Sequence, residues 1–258
     1  MVNVDVGFAQ IICIMNFTDL SQRIEQSNSL DFGSIFNATI ELFKKVWLQG
    51  FITLLLTFVS ILPFYIVLYS PLIAYGITDP ASFENGQAPP GALIFMFLLM
   101  PFFFLAVMTI GLCLNAAFLR ICKQNDFGDV EKDAYFFYLK KPYLGKALML
   151  SLIMLGLVFL AMLTCGLGII YLIVPMSLFP AFLAFGEDLT GMEMAKGGFA
   201  LGNKNWGIII ALLLVTSLVA QLGVILCFVG VFFTAMLSKI PVYFIYKNTV
   251  GFQDDMEV

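Results

Sequence analysis

Residues 147–186 read ALMLSLIMLGLVFLAMLTCGLGIIYLIVPMSLFPAFLAFG, forty consecutive positions without an Asp, Glu, Lys or Arg. As one helix this run would be about 60 Å long at about 1.5 Å per residue, twice the roughly 30 Å of hydrocarbon in a bilayer. It must therefore fold back on itself. Thr164-Cys-Gly-Leu-Gly168 is the obvious turn, because glycine takes positive φ without steric cost. Two crossings follow, at about 146–164 and 168–185.

Working outward, Trp47 to Pro71, Asn85 to Leu119 and Asn205 to Ser238 are equally free of charge. Of the 258 residues 61 % are hydrophobic and 12 % charged, against about 45–50 % and about 25 % in soluble domains. The chain reads as an all-α polytopic membrane protein. Crossings are expected at about 47–69 and 92–119, and two more share the stretch 206–246 if Lys239 sits near one end and snorkels. A single long helix ending at Lys239 would instead leave five.

Charge decides between six and five. The six-crossing reading places Arg23, Lys44 and Lys45 before the first crossing. Arg120, Lys123, Lys132, Lys140, Lys141 and Lys146 fall between the second and third, Lys196 and Lys204 between the fourth and fifth, and Lys239 and Lys247 at the end. All 13 basic residues then lie on one side, which the positive-inside rule makes cytoplasmic, together with both termini. Residues 1–14 lack the basic region of a secretory signal, and Met15 is an alternative start.

The crossings form three hairpins, each entered through a cytoplasmic Lys-x-aromatic step and a glycine: Lys45-Val-Trp47 with Gly50, Lys141-Pro-Tyr143 with Gly145, and Lys204-Asn-Trp206 with Gly207. The outer turns also match, Cys165-x-x-Gly168 with Cys227-x-x-Gly230. This threefold repetition divides the chain into a cytoplasmic segment 1–31, repeats over 32–119, 120–186 and 187–247, and a tail 248–258. Trp and Tyr favour the headgroup level and Lys attracts anionic lipid, so Lys45, Trp47, Lys141, Tyr143, Lys204 and Trp206 are the candidate interfacial anchors.

Phe32, Ile35, Phe36, Ile40, Phe43, Val46 and Trp47 share one face of an amphipathic helix, with Asp31 as its N-cap and Leu30 and Ile35 as a staple. That face either lies in the headgroup plane or packs on the end of the bundle. The segment 187–204 reads as a short helix, capped by Glu187 or Asp188, followed by a flexible re-entry, because Gly191, Gly197, Gly198 and Gly202 each weaken a helix by about 1 kcal/mol. Pro63, Pro101, Pro175, Pro180 and Pro241 are expected to kink crossings.

Chemistry is constrained by absence. The chain has no histidine, which excludes Ser-His-Asp and Cys-His hydrolysis and His-ligated metals. The five cysteines have neither zinc nor redox spacing, and the net charge of −4 gives no footprint for nucleic acid. No cofactor or metal site is expected. Asn115 and Gln221 are the costliest polar residues within crossings and the candidates for lining a cavity. The carboxylates Asp79 and Glu84 read as a solvated loop, with a cation site as the lesser alternative, and the cluster Asp126, Asp129, Glu131 and Asp133, which lacks EF-hand spacing, as a partner-facing or solvated surface. Cys165 and Cys227 would sit close enough to pair if the second and third hairpins touch.

The entry LDFGSIFNATIELFKKVWLQGFITLLLTFV, the stretch VPMSLFPAFLAFGEDLTGMEMAKGGFALGNKNWGIII and the six crossings together resemble the YciC-like bacterial integral membrane proteins and the related membrane domain of glycerophosphoryl diester phosphodiesterases, over about residues 30–247. The resemblance implies a bacterial inner-membrane location and no settled biochemical activity. The β-carotene monooxygenase label that relatives sometimes carry needs four histidines on iron and does not fit this chain. The expected function is that of a non-enzymatic membrane protein whose cytoplasmic collar binds lipid or a protein partner. The alternative is a permease-like subunit for a neutral or lipidic molecule.

Overall fold

The computed structural model describes residues 17–75, 89–129, 133–164, 166–225, 230 and 234–252. Met15, Asp79, Glu84, Glu131, Cys165 and Cys227, and with them the proposed cysteine pair, lie outside these residues. The described regular structure is entirely helical: α1 (Phe17–Gln26), α2 (Phe32–Ala74), α3 (Pro90–Phe127), a 3₁₀ turn (Phe137–Leu139), α4 (Lys141–Leu163), α5 (Leu167–Phe185), α6 (Gly191–Lys204), α7 (Trp206–Ile225), a second 3₁₀ turn (Ala235–Lys239) and α8 (Ile240–Thr249). Among them α2, α3, α4 and α5 are each long and apolar enough to cross a membrane, and α6 with α7 makes a fifth candidate bent by 92°.

Asp31 caps α2 as its position suggests, its carboxylate accepting from the Ser34 amide at 2.7 Å. The helix then runs 43 residues without interruption, about 64 Å at 1.5 Å per residue. Its amphipathic start is thus no separate helix in the headgroup plane. Ile35, Thr39, Leu42, Val46, Gly50 and Thr53 are buried at helical spacing, a packed face rotated from the expected one, of which only Ile35 and Val46 are buried while Trp47 is exposed. Beyond Thr53 only Leu68 and Leu72 are buried. In α3 the pattern is reversed: Ala92 is buried early, and the rest of the buried face runs from Thr109 to Gln124.

The two helices run antiparallel, with Gly50 against Phe118 and the Tyr65 ring 4.9 Å from Phe103. The buried half of α2 and the buried half of α3 therefore belong to the same end. At the other end large apolar side chains face outward on all sides, Phe97 being 81 % exposed and Phe102 67 %. Such a surface suits lipid and not water.

The α4–α5 hairpin turns where expected, with Gly166 at φ 82° and the Gly168 amide donating to the Thr164 hydroxyl at 3.0 Å. The following segment departs from expectation. Thr190, not Glu187 or Asp188, caps α6, through a capping box with Glu193. The helix continues to Lys204, so no flexible re-entry intervenes and Asn205 alone separates it from α7. The glycines explain this. A Cβ on Gly198 would lie 2.7 Å from the Phe179 ring and 3.2 Å from the Pro175 carbonyl oxygen, one on Gly197 2.8 Å from Phe182, and one on Gly202 3.2 Å from the Pro175 Cα. The contacts descend α5 as they ascend α6, so the helices lie antiparallel at backbone distance, a contact only small residues permit.

Thr234 donates to the Ala220 carbonyl at 2.6 Å, so the chain reverses after α7. Residues expected in a sixth crossing then form the 3₁₀ turn and the ten-residue α8, in which Ile240 through Tyr246 are all buried. Pro241 occupies the first turn of α8, where a missing N–H costs nothing, and does not kink a helix. Lys239 is exposed.

Replacing Gly198 by Val should separate α6 from α5 and lower stability by about 1–3 kcal/mol or more. Gly156→Ala, with nothing within 4 Å, should gain about 0.5–1 kcal/mol. Thermal unfolding of the detergent-solubilised protein reads both.

Candidate functional site, a cationic and aromatic cap

The buried end of the bundle collects side chains from every part of the chain. Helix C-termini there leave carbonyl groups without intrahelical partners, and the sequence supplies donors for them. The Tyr138 hydroxyl, on the 3₁₀ turn before α4, donates to the Ala184 carbonyl in the last turn of α5 at 2.8 Å. Lys146 donates to the Glu187 carbonyl just beyond it. Arg23 of α1 donates to the Val250 carbonyl at the end of α8 at 3.2 Å. Burial pushes the Tyr138 hydroxyl well above its usual pKa, so it remains a donor across the physiological range. Tyr135, bonded to Asp133 at 3.4 Å, is raised to about 12 by burial and by that carboxylate.

Aromatic rings cover the cations. The Arg120 guanidinium lies 4.0 Å from the centre of the Phe137 ring, Lys123 lies 4.4 Å from that of Phe252 and Lys196 5.7 Å from that of Phe17. Lys247 pairs with Asp126, whose carboxylate also accepts from the Tyr243 hydroxyl at 2.7 Å. Asp126 is thus part of the packed cap and not a solvated member of an acidic cluster. Phe185, Tyr243, Tyr246 and Phe252 complete the arrangement, with the Phe185 and Phe252 ring centres 4.9 Å apart.

The six candidate anchors occupy three different environments. Lys45 is exposed on α2 and Trp47 beside it is 43 % exposed. Lys141 is exposed at the start of α4, whereas Tyr143 packs on Phe137 and Tyr138, with ring centres 5.0 and 5.3 Å away. Lys204 is exposed as well, but its ammonium is engaged. Its ammonium donates to the carbonyls of Ile24, Glu25 and Ser27 and to the Ser27 hydroxyl, closing the C-terminus of α1. The Trp206 indole donates to the Tyr171 carbonyl at 3.3 Å, and Tyr171 in turn donates to Asn203 at 2.6 Å.

The two cavity candidates do not meet. Asn115 is half-buried, and its side-chain oxygen is buried without a hydrogen-bond partner; Gln221 is exposed near the end of α7. No cluster of three or more His, Cys, Asp or Glu able to hold a metal occurs among the described residues. The cap residues that sequence reasoning missed are Arg120, Asp126, Tyr138, Tyr243, Lys247 and Phe252. The aromatic density of KDAYFFYLKKPYL was the one local signal for part of this set. No known family model, curated protein or solved structure matches the chain.

Tyr138→Phe should leave the buried Ala184 carbonyl unpaired and lower stability by about 1–3 kcal/mol. Tyr135→Phe, at the more exposed neighbouring position, should change thermal unfolding by less than about 0.5 kcal/mol.

Proposed function

We propose that this chain is a non-enzymatic multi-pass protein of the bacterial inner membrane, with both termini cytoplasmic, and that its cap forms a collar binding anionic lipid headgroups. The single observation that carries the reading is the contrast among the lysines. Lys44, Lys45 and Lys141 are exposed with no partner among the described residues, and Trp47 stands beside the first pair. Lys146, Lys204 and Lys247 are spent on internal carbonyls and a carboxylate. Free cations next to an exposed indole match the chemistry of a headgroup layer.

The one-sided distribution of basic residues supports six crossings. The contacts of Arg23 with Val250 and of Lys247 with Asp126 support a shared side for the N-terminal helix, the end of α3 and the C-terminal region. Membership of the YciC-like group is part of the same proposal. It rests on the motifs quoted above.

The permease-like reading has its own observation in the Asn115 oxygen, buried without a hydrogen-bond partner, an acceptor that an opening between the helices would expose. The two readings separate experimentally. Each surface lysine contributes about 1 kcal/mol to anionic-lipid attraction, so replacing Lys44, Lys45 and Lys141 together by Ala should weaken binding of phosphatidylglycerol on the order of a hundredfold by native mass spectrometry. Asn115→Leu should leave that binding unchanged. Retained lipid in the triple variant would overturn the collar, and solute flux abolished by Asn115→Leu would favour the permease.

A further inference from the structure

Lys204-Asn-Trp206 repeats the pattern of Lys45-Val-Trp47, yet the two lysines meet different fates. Lys45 is free at the surface. Lys204 is held by three backbone carbonyls and one hydroxyl around the last turn of α1. The groups that hold it are neutral oxygens, the same acceptor chemistry that a lipid phosphate offers with a full negative charge and shorter, stronger bonds.

The described part of α1 covers Phe17–Gln26, and among its residues Leu20 and Ile24 are buried. Leu20 rests against Gly197 of α6 and Lys196 of the same helix covers Phe17. The remainder of α1 is polar apart from Phe17, and Arg23 within it also donates to the Val250 carbonyl at 3.2 Å. Its C-terminus connects to α2 through the short segment 27–31.

We propose that α1 is a displaceable mask over the third lipid anchor: it occupies Lys204 in the docked state, and the phosphate of an anionic phospholipid competes for the same ammonium and releases the helix. The proposal rests on the collar reading and adds a switch to it. Binding at Lys45 would be constitutive, whereas a phosphate at Lys204 has to compete with the α1 oxygens for the ammonium. The membrane's content of anionic lipid would then set the position of the N-terminal helix.

Hydrogen–deuterium exchange of residues 17–26 in the full chain tests this, with the protein in nanodiscs of phosphatidylcholine alone or with about one-third phosphatidylglycerol. Protection of α1 should fall at least tenfold when phosphatidylglycerol is present. Lys204→Ala should remove the protection in both bilayers. Leu20→Ala, which loosens α1 and leaves the lysine in place, should lower the phosphatidylglycerol fraction needed for release. It should also add one bound anionic lipid per chain by native mass spectrometry. Undiminished protection of wild-type α1 in phosphatidylglycerol would overturn the mask, as would release by inorganic phosphate in phosphatidylcholine discs. Loss of lipid binding on replacing Lys44, Lys45 and Lys141 is read separately, so the collar can fail or stand independently of the switch.

Discussion

Hydrocarbon excludes charge, and the rest of this structure is arranged around that exclusion. A Lys or Arg at the centre of a crossing helix costs about 2.5–3.5 kcal/mol on insertion scales, and the cost vanishes at the edge. Every described basic residue with a recorded partner finds it in the cap. The same end holds the buried halves of α2 and α3, the enclosed α8 and the aromatic cluster around Phe252. The opposite ends of the long helices carry large apolar side chains with little protein around them. Packing and solvation have thus been divided between the two ends: protein contacts organise one, and lipid is left to cover the other.

A second regularity follows from the first. A cap built by the ends of many helices gathers unpaired carbonyl groups, and cations belong near helix C-termini electrostatically. Tyr138, Lys146, Arg23 and Lys204 each meet such a group. The basic residues that a topology rule treats as mere markers of sidedness therefore do structural work as well, and the two roles are distinguishable residue by residue.

Local features were visible in the sequence where the cause was local. The Asp31 cap and the Thr164–Gly168 turn each depend on a few neighbouring residues, whereas the buried stripe of early α2 is rotated from the face read in the sequence, because the partners that cover Thr39 and Leu42 lie elsewhere in the chain. The glycines of α6 were misleading because their intrinsic helix cost is local, whereas Pro175, Phe179 and Phe182, the partners that reward a missing side chain, lie on α5. α2 is continuous because nothing between Phe32 and Trp47 ends a helix before the apolar run begins, and Pro63 and Pro71 are accommodated within it. The cap was largely hidden. Asp126 and Lys247 are 121 positions apart and Lys204 and Ile24 are 180 apart, and no spacing rule connects such pairs.

Because α2 is one helix from the cap to the lipid-suited end, with Pro63 and Pro71 in its outer half, a change of tilt at one end would reach the other. A membrane thinner than the apolar stretch makes a helix lean, at a modest cost per ångström of mismatch. Gly50 lies 18 residues from the start of α2, about 27 Å along the axis, so a lean of about 10° about that point would sweep the Asp31 end sideways by roughly 5 Å. Changes in acyl-chain length would in this way be carried mechanically, without any bound signal, to the loop that joins α2 to α1.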